Sequence, residues 1–170
     1  MKNAVLILVL VLTFGSCTES KETTTISTIN WNKRSVGHKV SDSLKTGKTY
    51  LSVYSQVYSQ SEHTTHDLTA TINLRNTSGT DTLYILQAEY FNTVGKSIRN
   101  YTPKPIYIAP MESLAIVIDE HNKDGGTGGN FIFNWKINNQ TSNPLFEGVF
   151  ISTKGQQGLS FVTQGKTLEQ

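Results

Sequence analysis

Apolar and polar side chains alternate with a period of two residues, rather than 3.6, from Lys48 onward. The clearest segment is 66–76, in which the apolar residues that share one face are Leu68, Ala70, Ile72 and Leu74. This alternation is typical of a half-buried β-strand. The run from Leu114 to Ile118 is nearly all apolar, which predicts a strand covered on both faces. The other strands are predicted at 50–58, 83–91, 97–101, 106–108, 131–136, 145–151 and 159–162.

Turn-forming clusters separate these strands about every 8–12 residues, and no window has the pattern of a convincing amphipathic helix. Pro144 is a candidate start for one helical turn through Glu147. We therefore predict an all-β fold, an antiparallel β-sandwich that is immunoglobulin-like in the broad sense, with eight or nine short strands. A small closed barrel is the alternative architecture.

The first residues have the pattern of an export signal. Lys2 precedes an apolar run from Ala4 to Leu12, which is too short for a bilayer core that needs roughly 20 residues. Gly15 and Ser16 then precede Cys17, as in the lipobox of bacterial lipoproteins, although Phe14 replaces the usual Leu. We predict a signal peptide over 1–16 and lipid attachment at Cys17, which would place the chain on the periplasmic or cell-surface side of a bacterial membrane.

Residues 17–47 carry little apolar periodicity, and Ser and Thr are frequent between Thr18 and Asn30. Such a composition does not bury enough apolar surface to offset the entropy of ordering it. We interpret 17–47 as a lipidated flexible tether and 48–170 as a single β-sandwich domain. Trp31 is the exception in the tether, either docked on the domain or part of an early strand.

The composition excludes several classes of protein. The chain has 170 residues, a net charge of +2, 16% charged residues and one cysteine. These values argue against a nucleic-acid binder, a coiled coil, a disulfide scaffold and a thiolate zinc site. Neither a nucleophile elbow nor a cysteine nucleophile is present once Cys17 is acylated. We therefore predict no enzyme and no cofactor.

The stretch 124–130 is rich in glycine and is the most unusual part of the chain. Its candidate contact residues are Asp124, Gly125, Gly126, Gly128, Gly129 and Asn130. Exposed amides in such a loop can form a binding nest, whereas the alternative is a structural connection chosen for backbone freedom. Gln156 and Gln157 are candidate contact residues at the tip of a second loop. A hairpin turn without a binding role explains their presence equally well.

A tyrosine stripe is the other candidate surface. Tyr50, Tyr54 and Tyr58 share one face if 50–58 is a single strand, and such a face either stacks on sugars or lies at the rim of the core. His63 and His66 lie in the loop before a strand without evident further ligands, and the calcium-loop pattern that begins at Glu120 lacks its closing Glu. We predict no metal site.

Several segments together resemble an uncharacterised family of bacterial secreted proteins, DUF 3124. They are 53–58, 90–101, 124–135 and 155–161, and the resemblance extends over about 49–165. It implies an exported all-β domain and brings no activity, so it carries no catalytic residues to this chain.

The sequence thus favours a lipid-anchored, non-enzymatic envelope protein. Its membrane contact is the N-terminal lipid, and its sandwich is expected to bind an envelope protein or a surface polysaccharide, through the glycine-rich loop and the glutamine turn. Two other functions stay open, namely a carbohydrate- or small-ligand-binding module and a hydrolase with carboxylates assembled across strands.

Overall fold

The computed structural model describes residues 29–154 and 158–169, and it is almost entirely β. A short 3-10 helix, Trp31–Arg34, precedes the strands. In chain order the strands are β1 (Lys45–Val53), β2 (Gln56–Ser59), β3 (Ser61–Asp67), β4 (Thr69–Arg75), β5 (Leu83–Phe91), β6 (Ser97–Asn100), β7 (Ile106–Ile108), β8 (Ser113–Ile118), β9 (Gly129–Ile137), β10 (Leu145–Ser152), β11 (Leu159–Gln164) and β12 (Lys166–Leu168).

Two antiparallel sheets form the sandwich. The larger has the order β12-β1-β9-β5-β6, with β7 also paired to β5, and the smaller has the order β11-β10-β4-β8. The strands β2 and β3 form a separate hairpin. In the part of the chain that the structure describes, no helix is long and apolar enough to cross a membrane. The predicted antiparallel β-sandwich is confirmed.

The core lies between the two sheets because each strand turns its apolar face inward. The buried residues of β4 are Ala70, Ile72 and Leu74, which belong to the apolar face predicted in 66–76. Leu68, the fourth member of that face, is also buried and lies just before the strand. The ring of Phe133 in β9 stacks on that of Phe146 in β10, with 4.3 Å between centroids, and this contact joins the two sheets. Trp135 is the largest fully buried side chain, and its indole Nε1 donates to Thr49 Oγ1 at 2.9 Å. Burial of these side chains supplies most of the stabilisation.

The predicted single strand 50–58 is wrong. The chain leaves the large sheet after Val53, and the backbone amides of Ser55 and Gln56 donate to the carbonyl of Gly126 at 3.0 and 3.2 Å. Ser55 is fully buried at this crossing. The alternation of apolar and polar residues therefore continues through Tyr54, although the chain pairs with β9 before this point and with β3 after it. The period of a sequence does not reveal such a change of partner strand.

Three further local predictions are also wrong. The strand β8 is covered on one face only, and Val117 is 60% exposed. No helical turn follows Pro144, since Leu145 begins β10. The two histidines predicted in a loop lie in β3, where backbone pairing with β2 extends the chain.

Part of the expected tether contacts the domain. Arg34 Nη1 donates to Glu112 Oε2 at 2.8 Å, and the amide of Val36 donates to the carbonyl of Pro105 at 2.8 Å. Val40 is buried, and β1 begins at Lys45, three residues before the predicted boundary. This docking was not predictable from the composition of the segment, which is charged and polar. The docking depends on hydrogen bonds to specific residues rather than on a periodic pattern of apolar side chains. The predicted signal peptide and residues 17–28 of the tether lie outside the described residues.

Candidate functional site

The glycine-rich loop connects β8 to β9 and packs closely on the interior. A Cβ atom placed on Gly125 would lie 1.7 Å from Tyr90 Oη, and one on Gly129 would lie 2.9 Å from the carbonyl oxygen of Phe91. Gly126 has a φ of 66°, in the left-handed region that favours glycine. Close approach and backbone conformation thus both require glycine here.

Backbone groups of this loop are engaged by neighbouring segments. The carbonyl of Gly125 accepts from the amide and the hydroxyl of Thr93, at 3.2 and 3.0 Å. The amide of Gly128 donates to Thr93 Oγ1 at 3.0 Å, and that of Gly126 donates to the carbonyl of Lys123. These amides point to protein acceptors, so the geometry favours the structural alternative over a binding nest.

The other loop candidates divide between exposed and paired positions. Asp124 is exposed, and its amide donates to Asn122 Oδ1 at 3.1 Å. Asn130 lies within β9, where it pairs with Ser52 and Phe91. The candidate residues Cys17, Gln156 and Gln157 lie outside the described residues.

The three candidate tyrosines do not form one stripe. Tyr50 is half-buried in β1 opposite Ile132. Tyr54 packs edge-on against Phe150 and Phe161, each with a centroid distance of 5.7 Å. Tyr58 is 61% exposed on the β2–β3 hairpin, and its hydroxyl accepts from Thr127 at 3.4 Å. Only Tyr58 is brought to the glycine-rich loop, and no aromatic platform results.

A charged cluster centred on Asp67 ties the same end of the sandwich together. Gln56 Nε2 donates to Asp67 Oδ1 at 2.8 Å, and the ammonium groups of Lys154 and Lys123 lie 3.0 and 3.1 Å from Oδ2. The Gln56 hydrogen bond and these two cations hold the pKa of Asp67 far below its usual value. A carboxylate that stays ionised does not act as a general acid, so the cluster is a structural clamp.

The metal candidates are not assembled into a site. His66 pairs with Val57, whereas His63 lies in the part of β3 where the register with β2 shifts. Across residues 29–154 and 158–169, no group of three or more His, Cys, Asp and Glu side chains is arranged to hold a metal ion.

The outer face of the four-stranded sheet carries exposed apolar side chains that sequence reasoning missed. One row crosses all four strands in register, and its members are Val117, Thr71, Val149 and Val162. Val117 and Val162 are 60% and 61% exposed, and Ile151 in the next row is 45% exposed. The signal for this face is the presence of apolar residues at both odd and even positions of β8, which indicates an exposed apolar side chain rather than burial on both faces.

Charge is nearly absent from this sheet face, which we define as the outward residues of β4, β8, β10 and β11. Its two ionisable side chains, Arg75 and Glu147, neutralise each other through a 2.7 Å bond from Nε to Oε2. The edge strands β8 and β11 contain no charged residue and no proline, the features that normally protect sheet edges from other chains.

A polar recess lies near the docked helix on the other sheet. It has a volume of about 500 Å³, and its lining includes Trp31, Arg99 and Tyr101. Sequence reasoning missed this recess because Trp31 and Tyr101 belong to segments that are distant in the chain. Their proximity follows from the docking of residues 29–36.

Comparisons with known proteins give a family but no activity. The profile described as protein of unknown function (DUF3124) matches residues 46–168. No curated protein matches the chain. The crystal structure of Thermotoga maritima 1070 is similar, with 12% sequence identity and a TM-score of 0.45, over 71% of this chain and 92% of that chain. Because the family match includes all or nearly all of every strand and most of the chain, this protein belongs to the DUF3124 family of proteins of unknown function.

Proposed function

We propose that the chain is a lipid-anchored, non-enzymatic protein of the bacterial cell envelope whose sandwich binds another protein through the uncharged sheet face. The observation that carries the proposal is the in-register row centred on Thr71 and Val149, with Val117 and Val162 exposed at its two ends. Exposed apolar surface of this kind on a folded domain marks a site of association.

The chemistry of the face selects the partner. At the spacing of β-strands, the two rows that cross all four strands cover on the order of 250 Å², an area that a polar rim can surround in an interface. A charged polymer would find no counter-charges on this face, since Arg75 and Glu147 are already paired. A protein with a flat, uncharged surface fits best, and its binding is expected to depend little on ionic strength.

The hydrolase alternative receives less support from the described carboxylates. Cations lie within hydrogen-bond range of several of them, which lowers their affinity for protons. These carboxylates, whose pKa values are lowered, are Asp42, Asp67 and Glu112. Paired, ionised carboxylates of this kind lack the acid–base division that glycosidic cleavage needs.

Support for the lipid anchor comes from the apolar run that ends before Gly15, Ser16 and Cys17. We expect Cys17→Ala to abolish metabolic labelling with a palmitate analogue and to remove the mature protein from the membrane fraction, because the thiol is the acylation site. Thr18→Ala is the matched control and is expected to retain both properties. Labelling that survives in the Cys17 variant would contradict the anchor.

The docking face is tested by photo-crosslinking in intact cells. A photoreactive residue at Val117 or Val162 is expected to give an adduct of the same mass, because both positions lie in one row. Val94, which is 84% exposed in the β5–β6 turn, is the control position and is expected to give no such adduct. Adding Val149→Lys is expected to reduce the adduct at least tenfold, since a lysine buried without a partner opposes association.

The adduct mass separates the possible occupants. A discrete adduct that includes a different protein, and that Val149→Lys removes while the melting temperature is unchanged, supports the proposal. An adduct of twice the chain mass would identify a second copy of this chain instead. Crosslinking from Val94 alone, or adducts that are insensitive to Val149→Lys, would contradict the assignment of this face.

A further inference from the structure

The recess beside the 3-10 helix combines aromatic and cationic groups. The guanidinium of Arg99 lies over the ring of Tyr101, 4.6 Å from its centroid, and that ring packs against buried Phe131 at 5.5 Å. Trp31, which is partly buried and also packs against the core, belongs to the same lining. The site therefore has a guanidinium and an indole beside the large sheet, whereas the uncharged sheet face belongs to the smaller sheet.

Two asparagines make the lining rich in hydrogen-bond donors. Asn30 Oδ1 accepts from the amide of Lys33 at 3.1 Å, and Asn100 Oδ1 accepts from the amide of Thr102 at 3.0 Å. These bonds fix each side-chain amide with its oxygen toward the backbone, so that its Nδ2 group is the remaining donor. Arg99 adds a guanidinium, which has donors only, and none of the residues that line the recess is a carboxylate.

We propose that this recess binds a carboxylate-bearing saccharide, with Arg99 on the carboxylate, the amides of Asn30 and Asn100 on ring hydroxyls, and Trp31 against the apolar face of a sugar ring. A donor-rich, cationic lining calls for an oxygen-rich anion. The indole supplies the flat apolar contact that a sugar ring uses and that a free inorganic anion does not need. This site is separate from the protein-docking face and does not depend on it.

The docked segment that carries Trp31 completes the site. Arg34 holds the segment to Glu112, and Ser35 forms a bridge with Ile106. Without these contacts, Asn30 and Trp31 would be withdrawn from Arg99 and Tyr101. Ligand binding is therefore expected to stabilise the docked segment, and loosening the segment is expected to weaken binding.

The test is isothermal titration of the full-length chain in detergent with tri-galacturonic acid. We expect a 1:1 complex, with at least tenfold weaker binding for Arg99→Gln and for Trp31→Ala. Glu112→Gln is expected to weaken binding by a smaller factor, because it keeps the recess residues but loosens the segment that carries Trp31. Lys96→Gln, which removes an exposed cation from the nearby turn, is the matched control and is expected to leave the affinity unchanged.

Two further probes decide the ligand class. The uncharged galactose trisaccharide and the peptide Glu-Glu-Glu are expected to bind at least tenfold more weakly than the acidic sugar. Equal affinity for the neutral sugar, tighter binding of the peptide, absence of binding at millimolar concentration, or affinity insensitive to Arg99→Gln would each overturn the proposal. Val162→Lys is expected to leave saccharide binding intact, so that failure of the docking face and failure of this site are distinguished.

Discussion

Replacing Trp135 with alanine is expected to lower the free energy of unfolding by about 3–5 kcal/mol. Trp135 is fully buried in β9, so its removal leaves a cavity in the middle of the large sheet's inner face. The change also leaves the hydroxyl of Thr49, itself 2% exposed, without its indole donor. Loss of dispersion contacts and an unsatisfied buried hydroxyl act in the same direction.

This loss is large for a domain of this size, because natural domains are stable by only about 5–15 kcal/mol. Thermal unfolding followed by circular dichroism is expected to show a melting temperature lower by roughly 10 °C or more. Trp31→Ala is the matched control, since it makes the same chemical change at a partly buried residue of the segment before the strands. It is expected to cost less than half as much. Equal effects of the two changes would contradict the assignment of Trp135 to the core.

The alternation of apolar residues was sufficient to predict the strands that lie between well-marked turns. The strand 83–91 and the strand 106–108 have the predicted bounds, because each has a turn at both ends and one buried face. The resemblance to the DUF 3124 family was also confirmed over nearly the predicted range. Local pattern and turn chemistry were enough in these cases.

The surfaces that now carry the proposals were not predictable in the same way. The row through Val117 and Val162 depends on β8 pairing with β4, and on β10 lying between β4 and β11. The recess depends on the Arg34–Glu112 ion pair, which joins residues 78 positions apart. Sequence periodicity reports which face of a strand is apolar, whereas strand order decides what that face meets.

For the glycine-rich loop, too, the sequence pattern does not show which other segments the loop contacts. Its composition indicated backbone freedom, but the reason for that freedom lies in other segments, namely Ser55, Tyr90 and Thr93. The buried hydroxyls of Ser55 and Tyr90 lie 3.1 Å apart beneath Gly125. Burial raises the pKa of Tyr90, so this phenol stays protonated and hydrogen-bonded across the ordinary pH range. The loop therefore covers the buried hydrogen bond between Ser55 and Tyr90.

Replacing Gly125 with alanine is accordingly expected to cost about 3 kcal/mol of stability, because the new Cβ would lie 1.7 Å from Tyr90 Oη and 2.8 Å from Ser55 Oγ. Gly79→Ala is the control, since a Cβ there meets nothing within 4 Å, and it is expected to be nearly neutral. Tyr90→Phe alone is expected to cost about 1 kcal/mol for the lost hydrogen bond.

The double variant Gly125→Ala with Tyr90→Phe is the decisive measurement, made by urea unfolding of all four proteins. Removing the phenolic oxygen makes room for part of the new methyl group, so the double variant is expected to be more stable than the sum of the single effects by about 1–2 kcal/mol. Strict additivity would show that the two groups do not compete for one volume. Crosslinking from Val162 in the double variant is expected to be retained. Together with the coupling, this result would show that the loop maintains the fold while the sheet face binds the partner. A loop that contacted the partner directly would lose the adduct when its conformation changed.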